Sequence, residues 1–326
     1  MPRRLTFDQA DALLRTRADV LSTGITERQL RELLSVGTFV RVHRGYYVDG
    51  ATWRDLWSEG QHLLRVIAHA RSSPRPGPVF MQLSAAVLWG LPIYRAEDAV
   101  VHTLITGTRH TRSVSGIARH DIEVAEEDIV VRHGFRCTSL ARTVFDLART
   151  MSMEAAVSAA DAAVRSVAVS NHRQDADAAA GWKEQLLRLA KPGLRGVRRV
   201  RWTADFADGR AQLPGESVSR LQLWRLGFRD LMLQVPVTGS EGDRYFLDFG
   251  FPRSRNFGEF DGEGKYLESD LRTAPTPAEA VLAEKWREDD IRGVTGWGVR
   301  RWGGAHIASA DALGARLAAF GLAPPG

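Results

Sequence analysis

Residues 24–48 read Gly24-Ile25-Thr26-Glu27-Arg28-Gln29-Leu30-Arg31-Glu32-Leu33-Leu34-Ser35-Val36-Gly37-Thr38-Phe39-Val40-Arg41-Val42-His43-Arg44-Gly45-Tyr46-Tyr47-Val48. Thr26 and Gln29, three residues apart, form a capping box, and Ile25 before them can staple onto Leu30. Leu30, Leu33 and Leu34 give one buried stripe, and Gly37 ends the helix. Thr38 to Val42 then alternates as a strand does, His43-Arg44-Gly45 makes a turn, and Tyr46-Tyr47-Val48 returns. Upstream, Phe7, Ala10, Leu13 and Leu14 recur at helical spacing. Helix, helix and a two-stranded hairpin with a basic turn predict a winged helix-turn-helix.

The exposed side of the 26–36 helix carries Glu27, Arg28, Arg31 and Glu32, and the hairpin supplies Arg41, His43 and Arg44. Arg28, Arg31, Arg41, His43 and Arg44 are therefore the candidate DNA contacts. Such a helix would enter the major groove while the hairpin meets the backbone or minor groove. Each phosphate neutralised releases counterions, so a few arginines give salt-sensitive affinity. The other reading is that Arg28 and Arg31 only solvate a helix. The net charge of +5 suits an anionic partner. The lysines are Lys183, Lys191, Lys265 and Lys285, and arginine supplies the rest of the positive charge. A GC-rich genome and selection for phosphate contact both account for that bias.

A length of 326 residues fits two or three domains, and 44% hydrophobic content supports a core. No apolar run is long enough for a membrane span, and the start, Met1-Pro2-Arg3-Arg4-Leu5, leads into Asp8 and Asp11 rather than an apolar leader. The lone Cys137 suits a reducing cytoplasm and core filling. The expectation is a cytoplasmic protein with no membrane partner. His43, His102, His110, His120 and His133 lack metal spacing, and no phosphate-binding loop or nucleophile elbow is present.

Further along, the pattern predicts a helix over 53–72, a short helix over 84–89 and strands near 100–105, 117–119 and 129–131. A helix capped by Thr138 and another over 153–168 follow. An exposed loop over 169–181, helices near 183–190 and 194–206, and a helix from Pro214 come next. Strands at 232–237, 245–251 and 257–261, a polar loop at 270–277, and a helix–strand–helix ending complete the reading. Arg142 and Asp146, one turn apart, suit a structural ion pair. Arg195, Arg198 and Arg199 share a helix face, either solvated or lying along phosphates.

The stretch 24–48 resembles the N-terminal winged helix of the AbiEi-type antitoxin family. Similar runs continue at Ser84-Ala85-Ala86-Val87-Leu88-Trp89-Gly90-Leu91-Pro92, at Thr138 through Arg149 and at Asp161-Ala162-Ala163-Val164-Arg165. The resemblance spans most of the first 200 residues. It implies a type IV antitoxin that represses its own operon and counters a nucleotidyltransferase-like toxin.

A metal-dependent nuclease needs carboxylates converging on a hard cation, usually magnesium. In the PD-(D/E)XK fold these come from a helix, a strand and an E-x-K pair on the next strand. This chain offers Glu216 in the first turn of a helix, Asp248 mid-strand, and Glu259 with Asp261 on one face of the following strand. Asp248, Glu259 and Asp261 are the candidate metal ligands; Glu216 and Lys265 complete the candidate catalytic set. Residues 210–322 resemble the Vsr-like (very-short-patch-repair-related) endonuclease domains. Asp261 stands where that pattern has lysine, so the cation would have to come from Lys265 or Lys285.

These readings predict an α+β multidomain chain: a winged helix-turn-helix DNA-binding domain at 1–50, a mixed α/β middle domain at 51–206 and an α/β restriction-endonuclease-like domain at 207–326. The first functional expectation is a duplex-DNA-binding antitoxin and transcriptional autoregulator. The alternative is a magnesium-dependent DNA endonuclease aimed by the winged helix. A third is an adaptor that docks a toxin through residues 80–200.

Overall fold

The computed structural model describes residues 5–92, 94–95, 100–105, 115–262 and 277–324. Among them the fold is mixed α+β with four sheets. The chain divides into two compact units, Met1–Ala159 with Trp182–Asp205, and Ala160–Gly181 with Phe206–Gly326. No described helix is long and apolar enough to cross a membrane.

The first unit opens with α1 (Phe7–Leu13), β1 (Arg15–Thr16), α2 (Arg17–Ser22), α3 (Glu27–Ser35), β2 (Phe39–His43) and β3 (Tyr46–Asp49). Each of the three helices starts on a capping box, Thr6 with Gln9, Thr16 with Asp19, and Thr26 with Gln29. Each box satisfies amide protons that a helix start leaves unpaired. Val20, Leu30, Phe39 and Tyr47 form the buried cluster, with Ile25, Leu33 and Leu34 packed against it. The strands are ordered β1-β3-β2, all antiparallel. The expected two-stranded hairpin is thus a three-stranded sheet, and a helix unseen in the periodicity precedes α3. Two residues are too few for a pattern; β1 exists because Arg15 and Thr16 pair with Tyr47 and Tyr46.

The predicted 53–72 helix is two helices, α4 (Gly50–Arg54) and α5 (Ser58–Ser72). The break falls at Asp55-Leu56-Trp57, where Leu56 is buried and Trp57 is extended. Next come β4 (Val79–Phe80), α6 (Gln82–Trp89), β5 (Val101–Leu104), β6 (Ile117–His120), β7 (Ile129–Arg132) and β8 (Phe135–Thr138). These strands make a five-stranded sheet ordered β6-β5-β4-β8-β7. Helix α7 (Leu140–Thr150) is capped by Ser139, whose side chain accepts from the Arg142 amide; the expected cap, Thr138, bonds Thr143 instead. Burying Leu64, Ile67, Phe80, Leu88 and Leu147 supplies about 2 kcal/mol per side chain.

Helix α8 (Met153–Ala168) leads to β9 (Val169–Ser170), β10 (Arg173–Gln174), α9 (Ala176–Leu189) and α10 (Val197–Phe206). The expected 169–181 loop is therefore a tight hairpin and the start of a helix. Asn171 and His172 both take positive φ in its turn, which supplies the twist a two-residue hairpin needs.

The second unit contains α11 (Pro214–Arg225), β11 (Met232–Thr238), β12 (Arg244–Phe251), β13 (Asn256–Asp261), α12 (Pro277–Thr295), β14 (Gly298–Gly303) and α13 (Ala310–Ala318). The sheet is ordered β11-β12-β13-β14; the first two pairings are antiparallel and β13–β14 is parallel. Val235, Val237, Leu247, Phe257 and Val299 from the strands bury Ile291 of α12. Trp302 stacks on Phe249 at 5.4 Å and donates its Nε1–H to Ser219 of α11 at 2.9 Å. Gly258 leaves room for that indole, since a Cβ there would lie 2.4 Å from the ring.

Candidate functional site

In the first unit the leucine stripe turns α3 so that Arg28 and Arg31 face outward, both exposed. Arg28 places Nε 3.2 Å from Glu32, one turn on, and its side chain is 86% exposed. Glu27 pairs with Arg17 of α2. Arg31 leans its Nε on the Glu27 carbonyl at 3.4 Å. Arg41 and Arg44 are exposed on the β2–β3 hairpin. Arg28, Arg31, Arg41 and Arg44 thus stand in solvent, as the sequence suggested.

His43 does not join them. A register shift between Arg41 and His43 re-aims the imidazole. Its Nδ1 lies 3.1 Å from the Ser72 hydroxyl and its Nε2 3.4 Å from His69 Nδ1, both on α5. Burial first, then the charges of His43 and Arg119, pulls His69 down to about 4. His43 therefore ties the hairpin to α5.

Several other histidines and basic groups of this unit make structural contacts, while Arg195 and Arg198 are exposed. His102 Nδ1 and His120 Nε2 lie 2.9 Å apart across β5–β6, and burial followed by His102 lowers His120. Arg142 and Asp146 form a buried pair at 3.2 Å, and burial outweighs the guanidinium to raise Asp146 to about 6. Of the 195–201 cluster, Arg199 donates to the Met151 carbonyl and Arg201 to Ala190 at 3.2 Å, closing the ends of neighbouring helices. Cys137 is buried and its thiol is pushed up to about 12, as core filling requires.

The second unit gathers the predicted carboxylates and divides them. Glu259 lies between two guanidinium groups, Arg301 at 2.8 Å and Arg287 at 2.8 Å. Asp261 meets Arg301 at 3.4 Å. Glu284 of α12 pairs with both arginines. Burial opposes both charged arginines, yet the surrounding carboxylates raise Arg287 and Arg301 above their ordinary values. Parallel pairing sets Glu259 beside Arg301, so adjacent strands deliver acid and base to one place.

Glu216 and Asp248 have hydrogen-bond partners outside this arginine cluster. Asp248 is buried and its Oδ2 accepts the Phe260 amide at 2.9 Å. Glu216 is 2% exposed, and its Oε2 accepts from the Gln212 amide at 2.8 Å and from Gln234 Nε2 at 3.3 Å. Gln234 lies between the pairs Leu233↔Phe249 and Val235↔Leu247, across the strands from Asp248. Among the described residues no group of three or more His, Cys, Asp or Glu is placed to hold a metal ion. Lys265 lies outside the described residues, as do Glu263, Glu268, His110 and most of the predicted 270–277 loop. Lys285 is exposed on α12.

Sequence reasoning missed Arg287 and Arg301 as partners of the acidic pair, and Gln212 and Gln234 as partners of Glu216. The run Gly298-Val299-Arg300-Arg301-Trp302 carried a signal: a charged residue alternating with buried Val299 shares its face.

No family model matches the chain. Two proteins of Mycobacterium tuberculosis, the uncharacterized protein MT2308 of strain CDC 1551 / Oshkosh and the uncharacterized protein Rv2248 of strain ATCC 25618 / H37Rv, are each 30% identical to it over 179 residues. That stretch is 55% of this chain and 60% of each relative, so the chain spans less than two thirds of the curated relatives it matches.

Proposed function

We propose that this protein is a duplex-DNA-binding regulator of antitoxin type, reading DNA through α3 and the β2–β3 hairpin as a winged helix-turn-helix. The observation that carries the reading is the outward display of Arg28, Arg31, Arg41 and Arg44 on a capped helix and its hairpin, with the leucine stripe buried behind them. The element order α1-β1-α2-α3-β2-β3, with the first strand added beside β3, supports it. The Arg28–Glu32 pair is exposed, and such pairs contribute about 0–1 kcal/mol, so a phosphate can displace the glutamate. The antitoxin role, with operon autoregulation and a nucleotidyltransferase-like toxin as partner, rests on the AbiEi resemblance.

The alternative is a magnesium-dependent endonuclease of the PD-(D/E)XK class in the second unit, for which buried Glu216 and Asp248 speak. The two arginines on Glu259 and Asp261 favour binding over cleavage, because a guanidinium already neutralises the carboxylates a cation would need.

Mobility-shift titration of a genomic duplex library by the full chain tests the first reading. Arg28→Glu with Arg31→Glu is expected to weaken binding strongly and flatten the log–log salt slope by about 2. Affinity and slope equal to those of the parent at physiological salt refute it. Magnesium-dependent nicking of plasmid, abolished by Asp248→Ala, would instead establish the enzyme.

A further inference from the structure

A hydrogen-bond chain in the second unit runs from a buried carboxylate to an exposed imidazole. Glu216 Oε2 accepts from Gln234 Nε2 at 3.3 Å; Gln234 Oε1 accepts from Gln212 Nε2 at 2.8 Å; Gln212 Nε2 lies 2.9 Å from His172 Nδ1. Glu216 Oε2 accepts from Gln234 as it does from the Gln212 backbone amide at 2.8 Å, and that orders the directions along the chain. Gln234 must turn its amide nitrogen to Glu216, which leaves its oxygen for Gln212. Gln212 then has only N–H groups to offer, so His172 Nδ1 must accept. The imidazole is thereby held as the tautomer with its proton on Nε2.

Backbone conformation points to the same residues. His172 has φ 61° and Gln234 has φ 48°, left-handed positions that glycine fills at lower cost. For His172 that conformation belongs to the two-residue turn between β9 and β10, which fixes where the imidazole stands. The ring of His172 stacks on Phe246 at 4.1 Å and 11°, so both its nitrogen and its plane are held while the residue remains exposed. Phe246 lies two residues before Asp248 on β12.

We propose that His172 is a nucleic-acid contact in the second unit, presenting a fixed Nε2–H donor to a phosphodiester oxygen. The site is independent of α3 and the hairpin. An N–H donor already aimed and stripped of rotational freedom binds an anionic oxygen without first reorganising.

The experiment uses the full chain with 15N-labelled histidine. Long-range 15N–1H spectra should show His172 as the Nε2–H tautomer, and Gln234→Leu should convert it to a mixture. Titration with a short duplex at low salt should shift Nε2 saturably, in the parent and in the Arg28→Glu/Arg31→Glu variant alike. His172→Gly relieves the turn while deleting the donor; it should fold as the parent does and bind the duplex about tenfold more weakly in that variant background. An Nδ1–H tautomer in the parent, an unmoved Nε2 signal, or unchanged affinity in His172→Gly overturns the proposal. So does an equal shift from inorganic phosphate at the same concentration, which would mean a free anion and not a strand. Loss of the α3 reading alone would appear as an unchanged affinity in Arg28→Glu/Arg31→Glu with the His172 shift intact.

Discussion

Acidification from pH 7 to 5 should loosen the joint between the β2–β3 hairpin and α5. His69 is half-buried beneath His43, and burial, His43 and Arg119 together hold it at about 4 against an ordinary value of 6.5. Between those values the unfolded chain takes up a proton that the folded chain refuses. The stabilisation is therefore whole above 6.5 and is lost as pH falls toward 4. The complete shift corresponds to ~3 kcal/mol; solvent screening of a half-buried ring trims this, leaving about 1–2 kcal/mol lost by pH 5. His120, lowered by burial and then by His102, acts in the same direction. Hydrogen–deuterium exchange of α5 amides at the two pH values, corrected for intrinsic rates, reads the local opening free energy. The parent should lose that amount, and His69→Gln should show a clearly shallower dependence. Equal pH dependence in both proteins would refute the view that a neutral His69 beside His43 fastens the hairpin.

Two stability changes can be read in the second unit. Asp161 is fully buried, 2.8 Å from Arg220, and also accepts the Asp208 amide at 2.8 Å. Asp161→Ala strands the guanidinium and should cost about 3–5 kcal/mol in urea denaturation, whereas a loss below about 1 kcal/mol would contradict the burial. Gly215→Ala would put a Cβ 2.0 Å from the Phe260 ring, so overpacking at the start of α11 should cost about 1–3 kcal/mol of stability and lower the melting temperature; a melting temperature equal to the parent's would show that the ring can move.

Legibility followed the range of the interactions. The α3 helix was plain in the sequence because its capping box, its stripe and its stop are all local. Thr6 with Gln9 and Thr16 with Asp19 repeat the Thr26 with Gln29 box at ten-residue steps, so α2 was also available to reading, through caps and not through periodicity. Strand β1 was not, because its two residues become a strand only by pairing with Tyr46 and Tyr47 thirty residues on. The carboxylates of the second unit could be named from spacing, since Glu259 and Asp261 alternate about Phe260. What holds them could not, because Arg301 reaches Glu259 through a parallel pairing forty residues away and Arg287 through packing of α12. His43 was misplaced for a related reason: strand alternation gives it the face of Arg41, and a bulge takes it off that face.

The arginines show why formal charge alone is a weak guide to an anionic partner. A guanidinium facing a glutamate in open solvent gives up little when a phosphate replaces that glutamate, because both ions keep their water throughout. Arg28 meets that condition, with its own side chain 86% and Glu32 62% exposed. Glu259, at 7% side-chain exposure, does not: it has lost its water, and withdrawing Arg301 or Arg287 to serve a phosphate would leave a buried carboxylate uncompensated. The same holds for Arg220 on Asp161 and Arg142 on Asp146. Under the proposed reading, the charge available to DNA includes Arg28, whose carboxylate partner is exposed, and Arg41 and Arg44, exposed on the hairpin. Reversing charge at these positions should change binding with little change in stability, whereas reversing it at Arg301 should do the opposite.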